Sequence, residues 1–128
     1  MGANRLTLIR EITNLHLLDN RYTNISVINC DPATGESKTN GGVLSVVFKA
    51  DDLTSGLPVA IKFFDPDFGG PAGAYRQELF QRECDLIYRL KGNDRCIQLV
   101  QPTNQFNLTV TDPVTGNSLT KEAYYFVV

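Results

Sequence analysis

The sequence holds a single histidine, His16, and only three cysteines, Cys30, Cys84 and Cys96. No two of the cysteines form a C-x-x-C pair. A structural zinc site needs about four clustered nitrogen or sulfur ligands, so this set excludes one. Scattered, odd-numbered cysteines read instead as small buried hydrophobes in a reducing, cytoplasmic setting. Nowhere does an apolar run approach the ~18 residues of a membrane span. The first residues lack the charged-then-apolar pattern of a secretory signal. Leu6 stands where an N-myristoylation pattern wants Ser or Thr. Asn24-Ile25-Ser26 and Asn107-Leu108-Thr109 match the glycosylation sequon but carry little weight without such a signal. Positive charge is not in excess either: 12 Lys and Arg stand against 14 Asp and Glu, a net charge of −2. That balance excludes a nucleic-acid binder working by bulk electrostatics. The expectation is no nucleic-acid partner and no membrane partner.

What is present is the composition of a globular protein, 42% hydrophobic and 20% charged over 128 residues, a length that fits one compact domain. Asp31-Pro32-Ala33-Thr34-Gly35 and Asp112-Pro113-Val114-Thr115-Gly116 share the pattern D-P-x-T-G. Proline fixes φ at the start of a turn and glycine supplies φ > 0 near its end. Thr54-Ser55-Gly56 is a third turn signal. Strand candidates lie between the turns: 25–29, 43–50, 59–64, 97–101, and 106–111 with 123–128 as arms of a hairpin. Residues 6–18 leave helix and strand both open. From Ala74 to Lys91 there is no Pro or Gly, and apolar residues at 79, 80, 86, 87 and 90 have helical spacing. Gly92 is its stop signal, and Gly69 to Gly73 reads as a loop before it. The order predicts an α+β fold, a mostly antiparallel five-stranded sheet with one packed helix and an N-terminal extension.

Two charged residues sit where apolar ones are expected. Glu83 lies amid Leu79, Phe80, Leu86, Ile87 and Leu90 on the helix. Lys62 lies in Val59-Ala60-Ile61-Lys62-Phe63-Phe64, where alternation puts Ala60, Lys62 and Phe64 on one face. A buried charge is costly unless paired. Either the two charges meet, or Glu83 lies at the edge of its stripe and Lys62 extends its head to water.

Val59-Ala60-Ile61-Lys62 is V-A-I-K, and Phe80-Gln81-Arg82-Glu83-Cys84-Asp85-Leu86-Ile87-Tyr88-Arg89-Leu90 looks like F-x-R-E-x-x-x-L-x-x-L, with Ile87 at the first Leu position. Together they resemble the third strand and helix C of protein kinases, and the Lys–Glu gap agrees. Residues 43–50, 97–100 and 124–128 resemble the second, fourth and fifth strands of the kinase small lobe. The resemblance divides the chain into an extension with a first strand and inserted turn (1–38) and a kinase-like small lobe (39–128). It implies that Lys62 holds the α- and β-phosphates of ATP and that Glu83 holds Lys62. It also implies that Val47 and Ala60 enclose adenine and that Val128 stands at the back of the pocket. Asn40, Gly42 and Ser45 fall at the three positions of the glycine-rich loop, where only Gly42 matches.

The departures bear on activity. No H-R-D-x-x-x-x-N catalytic loop occurs, and Asp67-Phe68-Gly69 follows Lys62 too closely to be the magnesium-binding D-F-G. Gly35 to Thr39 does not fit a phosphate-binding P-loop, because Pro32 and Ser37 occupy its glycine positions. The resemblance therefore implies the ATP-binding small lobe of a Ser/Thr-type kinase, with Mg²⁺ ligands and the site for a protein substrate in a second lobe. No metal ligands are expected within these residues, and the fragment is not expected to transfer phosphoryl groups alone. A pseudokinase-like binding module and an unrelated α+β protein are the alternatives.

Overall fold

A computed structural model describes residues 3–38, 45–65, 70–90, 92, 98–111 and 114–128. The fold is α+β, as the sequence pattern predicts. Its elements are α1 (Ala3–Asn14), β1 (Tyr22–Val27), β2 (Ser45–Asp52), β3 (Pro58–Phe64), α2 (Gly70–Arg89), β4 (Gln101–Thr111) and β5 (Ser118–Val127). The strands form one antiparallel sheet in the order β1-β2-β3-β5-β4.

Period two in the strands separates two apolar faces. Val46, Phe48 and Ala50 of β2, Val59, Ile61 and Phe63 of β3, and Ala123, Tyr125 and Val127 of β5 point to one side. There they bury Leu8, Ile9 and Ile12 of α1. Those three positions recur at the helical period, so one stripe of α1 faces the sheet. On the other side Phe64 and Phe126 pack with Phe80 and Cys84 of α2. Phe80 is the hinge pin of this smaller cluster, with ring centroids 5.7 Å from Phe64 and 4.9 Å from Phe126.

Several expectations need correction. The described residues hold two helices, not one: the ambiguous stretch 6–18 is largely α1, which ends at Asn14 before left-handed Asp19 and Asn20 turn the chain. The second helix starts at Gly70 rather than Ala74. Pro71 is accommodated because first-turn N–H groups have no acceptor within the helix. The first strand is shifted to Tyr22–Val27 from 25–29. No separate strand covers the expected 97–101: Ile97 lies outside the described residues, 98–100 are not strand, and β4 runs continuously from Gln101 to Thr111. Leu86 and Leu90, expected on the buried stripe of α2, are exposed, at 57% and 39%.

The turns behave as their chemistry requires. Gly35, Gly56 and Gly116 all have φ near +75°. In each turn a hydroxyl accepts the N–H two residues on: Thr34 from Glu36, Ser55 from Leu57, and Thr115 from Asn117. Gly35 has a second constraint, since a Cβ there would lie 3.3 Å from Leu6 Cβ on α1. Arg5 fastens the same corner. It donates to the Gly35 carbonyl at 3.2 Å and to Asp65 Oδ2 through Nε at 3.0 Å. Asp65, fully buried, directly follows β3.

Candidate functional site

β3 positions Lys62 on the α2 side of the sheet. Its antiparallel neighbours are Val47 on β2 and Phe126 on β5. Two residues back, Ala60 has Lys49 opposite on β2, and it exchanges two 2.9 Å backbone hydrogen bonds with Val128. Ser45 pairs with Phe64. Alternation therefore gathers Ser45, Val47, Ala60, Lys62 and Val128 on a single face. Val128 packs beside the cluster of Phe64, Phe80, Cys84 and Phe126.

α2 brings Glu83 to this face. Phe80 and Cys84 are buried, and Glu83 sits on the adjoining flank, where the helix leaves the sheet. Lys62 Nζ donates to Glu83 Oε1. The ammonium also lies 5.6 Å from the centroid of the Phe126 ring, within cation–π range. The Lys62 side chain is 22% exposed and that of Glu83 38%. Water screens such a pair, so it adds of order 1 kcal/mol or less to stability. Its consequence is positional. The Lys62 stem runs along the sheet, and the carboxylate fixes where the charged head points.

Among the residues singled out from sequence, Lys62 and Glu83 are in direct contact, and Ser45, Val47, Ala60 and Val128 share the Lys62 face. Asn40 and Gly42 lie outside the described residues, as do Asp67, Phe68, Gly69 and Cys96. Two residues on this face were missed. Phe126 underlies the ammonium, and Lys49 adds a second, exposed cation two residues from Val47. Period two counted onward from Val47 is the signal that finds Lys49.

A separate cleft of about 720 Å³ opens on the other flank of α2, between Ala74–Gln81 and Pro102–Gln105. Tyr124 closes one end. Its hydroxyl donates to Glu122 Oε2 at 2.8 Å, and that bond, helped by desolvation, raises its pKa. None of Val47, Ala60, Lys62 or Val128 lines this cleft.

Among the described residues, no group of three or more His, Cys, Asp or Glu side chains could hold a metal ion. No described helix is long and apolar enough to cross a membrane. Comparison with protein-family models, curated proteins and solved structures found no match to this chain.

Proposed function

We propose that this chain is the ATP-binding small lobe of a Ser/Thr-type protein kinase, working in the cytoplasm. The ion pair between Lys62 and Glu83 carries this reading. A cation that must meet a polyphosphate needs an anion behind it to set its position. The small side chain at Ala60, flanked by Val47 and Val128, leaves an apolar surface beside that cation on which a purine could lie. Transfer of the γ-phosphoryl of MgATP to a protein hydroxyl would take place once a second lobe supplies the base and the Mg²⁺ ligands. The residues on this face fit the nucleotide: one held ammonium, a second cation at Lys49, and a small apolar floor.

The test is titration of the 128-residue chain with MgATP, followed by amide shifts in heteronuclear NMR. Shifts are expected at Val47, Ala60, Lys62 and Val128. Lys62→Met should keep the fold, because the pair adds little stability, and should weaken binding roughly 10- to 100-fold, the loss of one charge-assisted hydrogen bond to phosphate. Equal binding by wild type and Lys62→Met would refute the role given to Lys62.

A second reading, a non-catalytic pseudokinase-like interaction module, is favoured by the loop positions, where Asn40 and Ser45 replace glycine. Absence of ATP-dependent shifts with the Lys62–Glu83 pair intact would support it.

A further inference from the structure

β2 is braced on both sides, and the two braces differ. On one side β3 pairs with it without a break from Ser45 to Asp51. On the other, β1 ends at Val27, opposite Phe48. One more backbone bond, from the Ile28 N–H to the Val47 carbonyl at 2.9 Å, continues that ladder. There the chain turns away. Cys30 bridges to Ser37, and the Asn29 carbonyl accepts the Lys38 N–H at 3.0 Å. Among the described residues, no strand covers Ser45 and Val46 on this side.

A side chain takes the place of the strand. The Val47 N–H donates to Asn29 Oδ1 at 2.9 Å, and Asn29 Nδ2 donates to the Ser45 carbonyl at 2.9 Å. A primary amide carries the acceptor and donor of a peptide group, so it can complete a ladder that the backbone has left. Asn29 is itself held. Its carbonyl binds the returning arm at Lys38, and the N–H of its neighbour Ile28 binds Val47. A short side chain on a backbone fixed in this way is preorganised.

What the amide holds is one wall of the face that carries Lys62. Val47 lies opposite Lys62 and Ser45 opposite Phe64, and alternation turns both side chains to that face. Asn29 acts on them through their backbone. We infer that Asn29 is a positioning residue for nucleotide binding, its side-chain amide standing in for a length of strand and setting where Val47 and Ser45 lie against Lys62. The inference rests on the nucleotide reading of this face.

MgATP titration of the full chain, at temperatures where each variant is folded, tests this. Asn29→Asp keeps the size of the side chain and the acceptor for Val47, but it turns an oxygen toward the Ser45 carbonyl. Asn29→Ala removes both bonds. Each should weaken MgATP binding roughly tenfold, on the scale of one or two lost hydrogen bonds. Asp52→Asn, at the far end of β2, should bind as the wild type does despite its lower stability. In the wild type, saturating MgATP should slow hydrogen exchange at the Val47 N–H and at the Asn29 side-chain amide, because the coupling is reciprocal. Wild-type affinity in either folded Asn29 variant overturns the inference and leaves the nucleotide reading standing. An equal loss through Asp52→Asn also overturns it, since affinity would then follow stability alone. Unchanged exchange at both amides does so without any variant. A wild-type chain that does not bind MgATP overturns the inference and the nucleotide reading together.

Discussion

Asp52 ends β2 with its side chain fully buried, and four donors converge on it. Arg21 reaches its two oxygens at 2.7 and 2.9 Å, and the Thr54 N–H and the Ser55 hydroxyl each approach to 2.9 Å. The Arg21 guanidinium above all, with the Thr54 and Ser55 donors, holds this carboxyl well below the usual carboxylate range, against the opposing effect of burial. A carboxyl depressed on folding stabilises the native state above its unfolded value of about 3.9, and the gain is lost as pH falls through the folded value. Asp52→Asn should therefore lower Tm at neutral pH and show a flatter acid limb, so that the two profiles converge in acid. Thermal melts followed by circular dichroism at stepped pH will show this, and parallel profiles would remove Asp52 from the explanation. The same residue illustrates what was legible early. Thr54-Ser55-Gly56 announces the turn, and its left-handed glycine is where the pattern puts it. The partner Arg21, on the neighbouring strand side, left no local trace.

At the scale of elements, α2 is held by few side chains. Phe80 and Cys84 are buried, Ile87 is partly so, and Leu86, Tyr88 and Tyr75 stand more than half exposed. Phe80→Ala should cost about 3–5 kcal/mol through lost burial and the cavity left between Phe64 and Phe126. Hydrogen exchange should then quicken in α2 first, while β2 and β3 keep their protection from the α1 side. Uniform loss of protection would mean that the two faces of the sheet unfold as one. The helical period of α2 was plain in the sequence. Which flank is buried was not, because apolar residues at 79, 80, 86, 87 and 90 form a stripe wider than the sheet face that receives it. β4 was misread for a related reason. Pro102 interrupts an otherwise alternating pattern and invites a division into two strands, yet proline is tolerated where a strand forms the sheet edge.

For the molecule as a whole, the decisive tie joins its two ends of assembly. Arg5 on α1 meets buried Asp65 sixty positions away, just past β3 and ahead of α2. Its grip on the Gly35 carbonyl draws the first D-P-x-T-G turn into the same corner. Arg5→Ala withdraws the guanidinium from a buried carboxylate and should destabilise the chain by roughly 3 kcal/mol. Denaturant titration measures this. Pairing Arg5→Met with Asp65→Leu should recover part of the loss, since an apolar pair removes the charge left behind; a double variant as unstable as Arg5→Ala would place the cost elsewhere. The extension before β2 is therefore built into the principal core, where Leu8, Ile9 and Ile12 join one buried cluster with side chains of the sheet.

Local rules of period and turn chemistry made β2, β3, the long helix and the position of each left-handed glycine readable from residue order alone, because those rules act over a few neighbours. The same rules exposed Lys62 and Glu83 as two charges out of place. Their meeting, the antiparallel order that sets Val47, Ala60 and Val128 around them, the Arg5–Asp65 tie and the place of β4 at the end of the sheet all came from folding in three dimensions. Alternation states which way a side chain points but not what it will find there. That is decided by burial and backbone pairing between segments tens of residues apart.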